Sequence, residues 1–151
     1  MPGFFASLRA NSNNTPSTAQ PTLRIYGDSY EPVNQRVLSD KDVAGRKVYA
    51  ARVNQREQVN RQGLPYVAKE VEVFLGGIDG KPSTAQTYLR LRQDSDLTVG
   101  QWLDPNSLNI CNMKQGGRML NGVYLESATT IDANSVNADF KAFCEAKGLA
   151  L

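Results

Sequence analysis

The 151-residue chain contains no histidine. That absence removes Ser-His-Asp and Cys-His triads, histidine-ligated zinc or haem, and any imidazole pH switch. Cysteine is nearly as scarce. Cys111 and Cys144 are the only two, too few for an all-cysteine zinc site within one chain, and without a secretion signal they are expected to be reduced core residues. No run approaches the roughly 20 apolar residues of a membrane span, and Met1 to Ala10 lacks a basic signal-peptide start. The chain therefore reads as a soluble cytoplasmic protein with no membrane partner. Gly-rich phosphate loops of the dinucleotide or Walker type and the H-E-x-x-H zinc motif are also missing, and Gly76 to Gly80 reads as a β-turn. Asp94 and Asp96 stand in a loop-like setting, Asp132 and Asn134 have no evident metal co-ligands, and Trp102 suits a core. No constellation for catalysis gathers, so the chain is expected to be a non-enzyme without a cofactor.

What is present is ordinary globular material: 40% hydrophobic and 21% charged residues, enough for one modest core. Residues 1–21 read as a flexible polar arm (NSNNTPSTAQP at 11–21) with an apolar tip at Phe4, Phe5 and Leu8. Residues 22–133 read as one β-rich domain. The expected strands are TLRIY from Thr22, KVYAARV from Lys47, the alternating Val71 to Leu75, TYLRLR at 87–92, LNICNM from Leu108 and a return at Met119 to Leu125. Residues 31–45 read as loop or one short helical turn, and QREQVNRQGLP at 55–65 as a polar hairpin loop. About five strands with short turns match the scale of a small barrel. Residues 134–148 have helical spacing at Val136, Phe140, Phe143, Cys144 and Lys147, with Asn134 or Ser135 as cap and Gly148 at C′.

The near-neutral net charge of +2 hides a pattern. Residues 1–45 carry four basic and four acidic side chains; residues 46–92 carry nine against four, a net +5; residues 93–151 carry four against seven, a net −3. The basic centre interleaves cations with rings at Tyr49, Arg52, Arg56, Arg61, Tyr66, Lys69, Phe74, Tyr88, Arg90 and Arg92. Cations that track phosphates and flat rings that stack on bases are what a single-strand groove needs. The competing reading places the rings in the core and leaves the arginines as solubilising charge.

The stretch VNRQGLPYVAKEVEVFL, Val59 to Leu75, resembles a segment of the filamentous-phage (inovirus-type) single-stranded-DNA-binding proteins. They carry an R-Q-G-x-P-Y run on an extended loop, matched here by Arg61, Gln62, Gly63, Pro65 and Tyr66. A looser similarity in element order extends over residues 46–131. The resemblance implies a five-stranded oligonucleotide-binding (OB) barrel that forms homodimers and coats single strands during viral DNA replication. It implies Arg61 as a phosphate contact, Tyr66 as the aromatic of the binding loop and Phe74 as a stacking platform. The chain departs from the family in its N-terminal arm and C-terminal helix, and at Lys81-Pro82, where the family has an aromatic.

Together these readings give a mainly β, OB-like protein that binds single-stranded DNA, with RNA as an open alternative, through Arg52, Arg56, Arg61, Tyr66, Lys69, Phe74, Tyr88, Arg90 and Arg92. A homo-oligomer is expected. The rival reading is a viral or assembly structural protein whose N-terminal arm docks on a neighbouring subunit.

Overall fold

In the computed structural model, residues 30–92 and 95–149 are described, together with the backbone of Ala19–Pro21. The expected strand at Thr22 to Tyr26, the apolar tip at Phe4, Phe5 and Leu8, and Asp94 lie outside the described residues. The fold is mainly β with one C-terminal helix.

Short β1 (Ala19–Pro21) and β2 (Tyr30–Val37) precede three long antiparallel strands, β3 (Val48–Val59), β4 (Pro65–Gly76) and β5 (Pro82–Arg90). They are followed by β6 (Trp102–Leu103), β7 (Asn109–Gln115), β8 (Arg118–Met119), β9 (Tyr124–Ile131) and α1 (Ala138–Lys147). Five of these close a ring in the order β3-β4-β5-β9-β6. The β5–β9 contact is parallel at Arg90 and Tyr124, and β6 bridges β9 back to Ala51 and Arg52 of β3. The remaining strands extend this sheet: β7 pairs β9 and β8, β2 pairs β7, and β1 pairs β9.

Side chains alternate across each ring strand, as the two-residue period of a strand requires. Ala51, Val53, Val71, Val73, Leu89, Leu103, Ile110 and Leu125 point inward and build the main core. A second cluster lies on the other side of the sheet. There α1 sets Phe140 and Cys144 on Tyr49, Ala50 and Trp102, with Phe74 packed against them. A register shift between Val48 and Ala50 of β3 accompanies the consecutive burial of Tyr49, Ala50 and Ala51, the first two under the helix and the third in the main core. Asn137 caps α1 by accepting the Phe140 amide at 3.0 Å, and Gly148 closes it at φ 70°. The helix thus starts later than the expected residue 134, because Ala133–Ser135 form a 3-10 turn and Val136 is extended. No helix among the described residues is long and apolar enough to cross a membrane.

Three expectations need correction. In residues 31–45 the short helical turn is present, a 3-10 turn at Asp40–Val43, but the first part is not loop: Tyr30–Val37 is a strand at the edge of the path, where Pro32 is tolerated and Asn34 takes φ 55° at an irregularity. The polar stretch 55–65 is mostly strand, with the turn confined to Asn60–Leu64. Beyond the ring, β3 and β4 pair only with each other among the described residues, so neither face of that ribbon needs apolar alternation. And Ala19–Pro21, expected as the end of the arm, pairs with Ser127 to Thr129 of β9.

Candidate nucleic-acid interface

The turn that carries the R-Q-G-x-P-Y run is built by one side chain. Asn60 Oδ1 accepts the Gln62 and Leu64 amides at 2.9 Å each, and the Asn60 amide donates to the Leu64 carbonyl at 3.0 Å. Gly63 sits at φ 83°, a left-handed position that suits glycine. The tip of the ribbon, hereafter the wing, is therefore held by its own hydrogen bonds, with Arg61 exposed on it.

Hairpin register then decides which side chains share a face. Arg52 pairs with Glu72, Asn54 with Glu70, Arg56 with Ala68 and Gln58 with Tyr66; on β5, Tyr88 lies beside Glu72 and Arg90 beside Glu70. All these residues occupy the outer face of β3, β4 and β5. The half of this face nearest α1 is covered, while Arg56, Tyr66, Tyr88 and Arg90 remain exposed.

On the open half the groups form a connected set. Gln58 Nε2 donates to Glu70 Oε1 at 2.5 Å, and the Tyr66 hydroxyl reaches Gln58 Oε1 at a weak 3.4 Å. The Arg56 guanidinium lies 4.4 Å from the centroid of the Tyr88 ring, with its Nε 3.5 Å from Glu70 Oε2. One strand-level deeper, Arg52 bonds Glu72 Oε1 at 3.1 Å and lies 4.9 Å from the Trp102 centroid. Glu70 and Glu72 are both buried. Burial among cations with hydrogen-bond donors is how a protein tolerates such carboxylates. Arg90 runs along Gly122: a Cβ there would come within 2.5 Å of its Nε. The same arginine opposes, but does not outweigh, the burial that pushes the neighbouring Tyr124 phenol above its ordinary pKa.

Of the nine site residues expected from sequence, Arg52, Arg56, Tyr66, Tyr88 and Arg90 share this face and Arg61 stands at the wing tip. Three are engaged elsewhere. Lys69 points to the other side of the ribbon, where Nζ donates to the carbonyls of Ser95 at 3.0 Å and Leu97 at 2.7 Å. Phe74 packs under α1, 5.1 Å from the Phe140 ring and 6.1 Å from Trp102, and is part of a core. Arg92 is half-buried with its guanidinium 5.6 Å from the Tyr30 ring. Sequence reasoning did not single out the β7–β8 turn. Gln115, Arg118, Met119, Leu120 and Asn121 face Arg61 across a cleft of about 280 Å³. The signal that could have found it is an arginine directly after the Gly116-Gly117 turn.

Compared with family models, curated proteins and solved structures, the chain matches none of them.

Proposed function

We propose that this chain is a non-enzymatic single-stranded-nucleic-acid-binding protein, with DNA as the favoured ligand, and that the strand lies along the open outer face of β3–β5 toward the wing. The observation that carries the reading is the run Tyr88, Arg56 and Tyr66 on one sheet face, continued by Arg61 at the wing tip: two exposed rings and two cations. Exposed rings stack on bases at about 1–3 kcal/mol each and tolerate any sequence, while guanidinium groups bond phosphate oxygens. A five-stranded ring with a long first hairpin also agrees with the OB architecture, in which the second and third strands and the loops after the first and fourth strands contact oligonucleotides. The R-Q-G-x-P-Y run that resembles the filamentous-phage proteins falls on that first hairpin loop. Self-association belongs to the same reading, and the wing exposes Val59 and Val67 on its reverse side and Leu64 in its turn for it.

Titration with oligothymidine at several salt concentrations tests the proposal. Affinity is expected to fall with a log–log slope of roughly −0.7 per phosphate contact, and a duplex of equal length to bind more weakly. Equal affinity for duplex, or no binding at low salt, refutes it.

A further inference from the structure

Most cations of the central segment are already engaged. Arg52 and Arg56 face Glu72 and Glu70, Arg46 donates to the Gly76 carbonyl, and Lys69 holds two carbonyls. Arg61 and Arg118 differ: among the described residues neither guanidinium has a hydrogen-bond or ion-pair partner, and both line the same cleft. They reach it from different elements. Arg61 comes from the wing turn, and Arg118 from β8, where it stands opposite Gln115 across the Gly116-Gly117 turn. Among the described residues no carboxylate lines the cleft. Its other polar side chains are the amides of Gln115 and Asn121, which donate as readily as they accept. Met119, half exposed, and Leu120 supply an apolar wall. Two unpaired guanidinium groups with amide donors, and no competing acid among the described lining residues, make a site for a phosphate group.

We propose that this cleft binds one phosphate group between Arg61 and Arg118, so that the wing and the β7–β8 hairpin are clamped together when it is filled. The phosphate is either a phosphodiester of the bound strand, which rests on the function proposed above, or a free phosphate or mononucleotide. Because the two arginines belong to separate elements, one anion joins them; each alone offers an exposed phosphate contact of the ordinary kind. The assignment adds Arg118, Gln115 and Asn121 to the site and makes the acidic third of the chain a contributor to anion binding.

The experiment is side-chain NMR of the arginine Nε–H groups in the full chain, titrated separately with inorganic phosphate, thymidine monophosphate and an oligothymidine of eight nucleotides. The Arg61 and Arg118 signals are expected to move together with one shared dissociation constant for each ligand. Arg118→Gln, at an exposed position, should abolish the phosphate-induced shift of Arg61 and reduce the salt slope of oligothymidine binding by about 0.7. If phosphate and mononucleotide move both signals while no oligonucleotide binds anywhere, the cleft is upheld as a site for free phosphates and the function proposed above falls. If oligothymidine moves Arg56 and the rings but leaves Arg61 and Arg118 still, or if the two arginines respond with unrelated constants, the clamp is overturned while the strand-binding face stands.

Discussion

Tyr66 and Phe74 stand on the same face of β4, eight residues apart, yet truncating them should have opposite effects. Phe74 is half-buried between Phe140 and Trp102. Complete burial of a phenylalanine makes its replacement by alanine cost roughly 3–5 kcal/mol, and two ring–ring contacts contribute about 0.5–1.5 kcal/mol each within that figure. With part of the ring still wet, Phe74→Ala should cost about 3 kcal/mol, lowering the melting temperature by about 10 °C for a domain of this size. Tyr66 lies on the wing, where its hydroxyl has only the weak 3.4 Å contact, so Tyr66→Ala should change stability by less than about 1 kcal/mol. It should instead remove a base-stacking surface of about 1–3 kcal/mol, roughly a five- to 150-fold loss of oligothymidine affinity. Trp102 is the single tryptophan and is buried in the helix cluster, so its fluorescence follows unfolding in urea. Binding is better read from a labelled oligonucleotide, because Arg52 stands between Trp102 and the open face. A Phe74→Ala variant with an unchanged urea midpoint and lost affinity would refute this division and return Phe74 to the interface.

Glu70→Gln should raise oligothymidine affinity severalfold and steepen its salt dependence, because Arg56 would lose its intramolecular carboxylate; unchanged affinity in a filter-binding assay would show that Arg56 does not meet the strand. Cys111 and Cys144 are buried thiols outside any disulfide, and burial pushes the Cys144 thiol above its ordinary pKa, so a thiol reagent should leave the native protein unmodified and react with both only after urea unfolding. Asp42 accepts the Ser39 amide at 2.9 Å and pairs with Arg36 at 3.0 Å, and these contacts, the backbone one first, hold its carboxyl below the ordinary value of 3.8. A depressed carboxyl stabilises the fold above its unfolded pKa and loses that contribution as pH falls through the folded value. Stability should therefore drop below about pH 4 by less in Asp42→Asn than in the parent, as acid titrations followed by circular dichroism would show.

The parts of the fold that sequence reveals are those fixed by local chemistry. The hairpin turn at Gly63 and Pro65, the strand parity around Val71 to Leu75 and the Gly148 helix stop follow from residues within a few positions of each other. Even the Arg–Glu pairing was accessible in principle. A hairpin centred on Gln62 necessarily brings Arg52 opposite Glu72 and Asn54 opposite Glu70. Long-range pairing was not accessible. Tyr30–Val37 becomes strand because β7 offers it an edge, and nothing in YEPVNQRV announces that partner. Phe74 reads as an interface ring because it lies among the cations of the basic centre and the family resemblance implies a stacking platform there. Only the docking of Phe140 from 66 residues later makes that position a core.

The same distinction reshapes the charge pattern. The net +5 of residues 46–92 suggests a basic groove along the whole strand face, yet its carboxylates are not spread at random. Glu70 and Glu72 sit under Arg56 and Arg52 and cancel much of their charge at the centre of the face. Among the described residues three unpaired cations stand at its wing end, Arg61 on the turn, Arg118 on β8 and Arg90 against Gly122, against Lys81 alone in the β4–β5 turn at the other end. An electrostatic field concentrated at one end draws a polyanion there first, because exposed pairs already neutralised contribute little at distances beyond the roughly 8–10 Å over which salt screens. On the proposed function, association begins at the wing and the rings of Tyr66 and Tyr88 are occupied afterwards, as the strand displaces Arg56 from its stack. Stopped-flow rates should then follow this order. Arg61→Gln should slow association and flatten its salt dependence. Tyr88→Ala should leave the association rate within about twofold and speed dissociation, as expected when short-range contacts form after the electrostatic encounter. A Tyr88 variant that loses affinity wholly through slower association would refute this sequence of events.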